Sequence, residues 1–99
     1  MAYNVIWEFQ VPQEKIEDFE AAYGSHGIWA SLFAKADGFI RLELLHCTEE
    51  KGRYLTIDRW ASQRAFDTFK ADFAADYNSL DERFKGITAS EKHIGAFYT

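Results

Sequence analysis

Apolar and polar positions alternate strictly at the start of the chain. Tyr3, Val5, Trp7, Phe9 and Val11 fall on one face, and Asn4, Ile6, Glu8 and Gln10 on the other. That period of two is the signature of a pleated strand. Pro12, which has no amide hydrogen to give to a ladder, ends it. From Pro12 to about Ala36 the spacing becomes helical, with Ile16, Phe19, Tyr23, His26, Ala30 and Phe33 on one face and Trp29 at its margin. Glu14, Glu17 and Asp18 lie early and Lys35 late, as the helix dipole favours. Asp37-Gly38 is a turn signal, and Phe39 to Cys47 alternates as a second strand. A polar loop from Thr48 to Gly52 suits a hairpin into a third strand, Arg53 to Trp60. Ser62 then precedes Ala65, Phe66, Phe69 and Phe73 at helical spacing and predicts a capped helix start. Asn78-Ser79 predicts an interruption, because Ser79-Leu80-Asp81-Glu82 has capping-box spacing for a further short helix that carries Phe84 and ends at Gly86. Glu91 to Tyr98 closes the chain as a fourth strand, with His93, Gly95 and Phe97 opposite Lys92, Ile94, Ala96 and Tyr98.

The order β-α-β-β-α-β is the ferredoxin-like split motif. It predicts an α+β fold, an antiparallel sheet with helices on one face. Matching the strands by hydrophobicity puts Val5, Trp7, Phe9, Leu42, Leu44, Leu55 and Ile57 under the helices. Ile6, Glu8, Arg41, Glu43, Leu45, Tyr54, Asp58 and Trp60 then line the open face. Two helices cover one face, yet both faces carry apolar groups, so the open face is expected to bury itself in a homodimer.

Composition narrows the class. The 99 residues form one domain, 1–99, and an apolar share of 47% with 17% aromatics describes a folded globule rather than a disordered chain. A net charge of −5 disfavours nucleic acid and acidic membrane surfaces. Cys47 is the single cysteine, so no internal disulfide forms and a reducing, cytoplasmic setting is expected. The first residues lack a basic segment and a long apolar run, which predicts neither a secretion signal nor a membrane span. Glycine-rich phosphate loops, Cys-x-x-Cys and His-Glu-x-x-His are all absent. The histidines His26, His46 and His93 are far apart in sequence, and no metal site is expected from them.

Two residues allow two readings each. His26 lies on an otherwise apolar helix face, either as a core histidine or as a base tuned by burial. Trp60 either plugs the end of the sheet or stacks on a flat ligand. Asp58, Glu8, Arg41 and Glu43 read as solvated or paired charges at the interface, the alternative being acid–base work. Gly24 and Gly27 weaken the first helix, through a bend, close packing, or space left for a ligand beside Tyr23, His26 and Trp29.

The segment Tyr54-Leu-Thr-Ile-Asp-Arg-Trp-Ala-Ser62, followed by Ala65 and Phe66 and preceded by Gly38 before a strand, resembles the antibiotic biosynthesis monooxygenase domain of the dimeric α+β barrel superfamily. The resemblance spans essentially the whole chain, and its most specific part is Asp58, Trp60 and Ser62. It implies a homodimer and, among characterised members, cofactor-independent oxygenation of aromatic polyketides, quinol oxidation or haem degradation. The haem-degrading branch uses an axial histidine on the helix after the Trp, and Lys70 stands there. The expected function is therefore a cofactor-independent monooxygenase acting on an aromatic or quinol-like small molecule. His26 is its candidate base, and Trp7, Tyr23, Trp29, Phe33 and Trp60 its candidate substrate contacts. The alternative is a non-catalytic small-molecule-binding or stress-related dimer of the same fold.

Overall fold

The computed structural model describes residues 1–99. Strands β1 (Tyr3–Gln10), β2 (Phe39–His46), β3 (Arg53–Trp60) and β4 (Ser90–Tyr98) form one sheet in the order β2-β3-β1-β4, every neighbouring pair antiparallel. Helices α1 (Ile16–Tyr23), α2 (Ile28–Phe33), α3 (Gln63–Asp72) and α4 (Ala74–Arg83) pack on one face. This is the ferredoxin-like arrangement that the element order predicts. Ser62 caps α3, its hydroxyl accepting from the Ala65 amide at 3.1 Å.

The helices depart from expectation in two places. The long first helix is split, because Gly24 to Gly27 leave the helical path and form a turn in which the Gly27 amide donates to the Gly24 carbonyl at 3.0 Å. A Cβ at Gly27 would stand 2.5 Å from the Ala21 carbonyl oxygen. The glycines thus serve a bend with close backbone approach, not a space for a ligand. The second break falls at Phe73 rather than at Asn78-Ser79. Tyr77, Leu80 and Phe84 all reach the core from α4, and that packing outweighs the capping signal inside it.

The larger correction concerns β3. The register pairs Tyr3 with Trp60, Val5 with Asp58, Trp7 with Thr56 and Phe9 with Tyr54. Residues directly opposite share a face, so Tyr54, Thr56, Asp58 and Trp60 lie under the helices, and all four are buried. Leu55, Ile57 and Arg59 take the open face beside Ile6, Glu8, Glu43 and Leu45. In β4 an irregularity at Ile94 resets the alternation, so Glu91 and His93 share the helix face with Ala96 and Tyr98.

The core is aromatic. Trp60 and Phe19 are fully buried, and Trp60 packs against Phe33, Phe39, Phe66 and Phe69 with ring centroids 5.0–5.7 Å apart. Tyr54 ties β3 to α1, its hydroxyl donating to Glu20 Oε2 at 2.5 Å. Gly38 joins α2 to β2 at φ +88°, and a Cβ there would lie 2.6 Å from the Ala65 Cβ. Gly38→Ala therefore combines left-handed strain with a clash against α3. It should lower unfolding free energy in urea by about 1–3 kcal/mol; a change inside the error of the fit would contradict this packing.

Candidate active site

Between the helices and the sheet lies a cavity of about 560 Å³. Val5, Trp7, Phe9, Thr56 and Asp58 form part of its sheet wall, with Glu91, His93 and Ala96 from β4. Tyr23, Trp29 and Phe33 come from α1 and α2; Phe66 and Lys70 from α3; Tyr77 and Asp81 from α4. Such a site, mostly apolar with a few convergent polar groups, suits a flat organic molecule.

Asp58 is its most unusual member. It is 5% exposed, and its Oδ2 accepts from the Trp60 indole N–H at 2.7 Å. Burial pushes its carboxyl up from 3.8 to about 6, against the pull of the Trp60 hydrogen bond and of the Lys70 charge. Burial likewise holds the Tyr23 and Tyr77 hydroxyls up at about 12, so both stay protonated donors near neutral pH. The Trp29 indole N–H is buried and makes no hydrogen bond of good geometry, although it lies close enough to the Tyr23 hydroxyl to oppose that shift. The Lys70 amine sits over the Tyr77 ring, 3.9 Å from its centroid. His93 packs against Trp7 with ring centroids 5.1 Å apart.

The structure gathers four of the expected site residues. Trp7, Tyr23, Trp29 and Phe33 all line the cavity. Trp60 stands behind the wall, fully buried, and reaches the site only through its bond to Asp58. His26 is placed elsewhere. It lies exposed in the turn between α1 and α2 and lines a shallow groove along β2. The expectation of a buried histidine on a helix face fails because the helix ends at Tyr23. Asp58, expected at an interface, is instead buried in the site. From the sequence, Asp58 is open to acid–base work only as the alternative to an interface charge, and Thr56, Lys70, Tyr77, Asp81, Glu91 and His93 are not expected in the site. One usable signal was Trp60 itself: a tryptophan leading straight into the Phe66-Phe69 helix belongs beneath it, and carries Asp58 along.

No group of three or more His, Cys, Asp or Glu side chains converges as a metal site. A haem ligand on α3 is missing as well, since Lys70 occupies the expected position and turns to Tyr77. His93, the cavity's one imidazole, is on β4 against Trp7. This donor set does not fit the haem arrangement that the resemblance implies.

Fold and cavity together define a ferredoxin-like domain with an aromatic-walled cavity between helices and sheet. The profile of the antibiotic biosynthesis monooxygenase family matches residues 2–72, and the chain belongs to that family. SnoaB, a cofactor-independent oxygenase from Streptomyces nogalater solved as a mutant, superposes with a TM-score of 0.70 at 22% identity, over 99% of this chain and 92% of that one. A mutant of MhuD with two manganese protoporphyrin IX bound per active site gives 0.73 at 19% identity, over 100% and 94%. A protein from Shewanella oneidensis gives 0.71 at 21% identity, over 99% and 90%. At these identities the likeness is one of fold. No curated protein sequence matches significantly.

Asp58 also leaves a mark on stability. Its folded-state pKa of about 6 stands above the unfolded value of 3.8, so the folded protein takes up the proton first as pH falls. Ionised Asp58 thus destabilises the fold at pH 7, and the penalty fades as pH drops through 6 toward 3.8. Asp58→Asn, which keeps an acceptor for Trp60, should stabilise the protein by roughly 2–3 kcal/mol at pH 7. Urea unfolding of both proteins across pH should show that advantage vanish below about pH 4; a pH-independent difference would contradict the assignment.

Proposed function

We propose that this chain is a cofactor-independent monooxygenase of an aromatic, phenol- or quinol-type small molecule, with Asp58 as its proton acceptor. The observation that carries the reading is a carboxyl buried in the wall of an aromatic-lined cavity, where burial pushes it up to about 6. Such a group is ionised at neutral pH and still basic enough to take a phenolic proton in a dry site. The electron-rich phenolate then reduces dioxygen by one electron, and the two radicals combine into a carbon–oxygen bond. The peroxide anion takes back the proton held by Asp58, and the hydroperoxide then loses water to leave a quinone-type carbonyl, so one dioxygen is consumed for each water released and Asp58 is regenerated as the carboxylate. Trp7, Tyr23, Trp29 and Phe33 hold the ring, and Trp60 positions Asp58 through its indole N–H. Belonging to a family with monooxygenase members supports the reading. The test is oxygen uptake with a panel of hydroxynaphthalenes, anthrones and hydroquinones. Turnover should rise with pH through about 6, and Asp58→Asn should cut it roughly 100-fold or more. His26→Ala should leave it unchanged. Full activity in Asp58→Asn would remove the reading.

We also propose that the open sheet face joins two copies of the chain. Leu45 and Phe97 are 41% and 50% exposed there, with Ile6, Leu55 and Ile57 between them. Two ion pairs lie on this face, Arg53 donating to Glu8 at 2.7 Å and Arg59 to Glu43 at 2.9 Å, with Lys92 beside Glu8 left as an exposed cation, and the apolar surface around them is free to meet a second copy. Light scattering should give a dimer mass at micromolar concentration, and Ile57→Asp should give a folded monomer. A monomeric wild type would refute the interface.

A further inference from the structure

The cavity has two polar ends. Across the sheet, Asp58 stands opposite Val5 and Val5 opposite Ala96; four residues along β1, Phe9 stands opposite Glu91. Strands lie about 4.8 Å apart and rise about 3.4 Å per residue, so Asp58 and Glu91 are separated by roughly 10 Å across the sheet and roughly 13 Å along it. Trp7 lies on the floor between them.

The far end is built unlike the first. Asp81 from α4 and Glu91 from β4 line it where it opens to solvent, both exposed, and neither enters an ion pair with the protein. The one side-chain hydrogen bond to Glu91 comes from the Thr88 hydroxyl at 3.5 Å. Their fields reach Tyr23 and Tyr77, and burial, helped by the Asp81 charge, holds the Glu91 carboxyl above its usual range. Of the nearby cations, Arg83 lies over Phe84 and Lys70 lies over the Tyr77 ring within the same cavity, and neither pairs with Asp81 or Glu91. Beside these carboxylates stand the rings of Tyr23 and Trp29, Trp29 being 5% exposed with its indole N–H near the Tyr23 hydroxyl but in no well-formed hydrogen bond. Uncompensated carboxylates next to aromatic faces attract an ammonium group, through charge-assisted hydrogen bonds and through the rings. A carboxylate or phosphate on the ligand would meet like charge.

We propose that the ligand of this cavity is a fused-ring phenol whose far end carries a protonated amine, held by Glu91 and Asp81 while the phenolic oxygen faces Asp58. The Trp29 N–H donates to an oxygen on the ring system. This rests on the cavity being the substrate site, but not on the oxidation that follows.

Binding without turnover separates the two claims. Three probes share one ring and differ only at the end remote from the phenol: 6-(aminomethyl)-2-naphthol, 6-(hydroxymethyl)-2-naphthol and 6-hydroxy-2-naphthoic acid. Titration calorimetry under anaerobic conditions at pH 7 should find the amine bound about tenfold or more tighter than the alcohol, and the acid weakest. Combining Glu91→Gln with Asp81→Asn should bring the amine down to the affinity of the alcohol. Equal affinities for the three probes, tighter binding of the acid, no binding of any, or an amine preference that survives the double substitution would each overturn the proposal. Such a result would leave the role of Asp58 to stand or fall on oxygen uptake.

Discussion

The arrangement depends on one short hydrogen bond, from the Trp60 indole to the Asp58 carboxylate two residues earlier on the same strand. Residues two apart on a strand share a face. Trp60 fills the centre of the helix–sheet core, so Asp58 has no choice of side and is carried under the helices with it. A carboxylate in that position is expensive unless its charge is partly met. The indole N–H meets part of it, and the rest appears as a raised pKa. The packing of an aromatic core thereby sets a buried carboxyl with a raised pKa in the cavity wall, without a histidine.

A well-packed domain of this size gains nothing in stability from an ionised carboxyl or an open cavity at its centre. Both are understandable as features kept for chemistry at a cost to the fold. The costs sit on the same elements, because α3 and α4 arch over β1 and β3 where Asp58, Trp7 and Thr56 look up at them. Core aromatics fix that arch: Phe69 and Phe33 lock onto Trp60 on one side, and Tyr77 meets Trp29 on the other.

Much of this was legible in the sequence. Strand extents, the βαββαβ order, the Ser62 cap and the Gly38 turn follow from local periodicity and turn chemistry, which neighbouring residues determine by themselves. The side assigned to β3 does not. Its two faces read Tyr-Thr-Asp-Trp and Leu-Ile-Arg, and hydrophobicity alone sends Leu55 and Ile57 to the core. Pairing with β1 decides otherwise, and a change of one residue in parity moves every side chain to the other face. That single inversion put Asp58 at the interface instead of in the cavity wall. His26 was misplaced for a different reason: its helical spacing holds only while the helix continues, and Gly24 ends it. The far end of the cavity was invisible because it joins a β4 residue paired with distant β1, Glu91 opposite Phe9, to a helix that sequence signals had broken in the wrong place.

The central claim is that Asp58 is a buried carboxyl poised near neutrality. The most direct measurement is a carbon-13 NMR titration of its side-chain carboxyl, assigned by comparison with Asp58→Asn. The account predicts a midpoint at about 6. A midpoint at or below 3.8, the ordinary aspartate value, would mean that the carboxylate is solvated or tightly paired, and the site would lose its base.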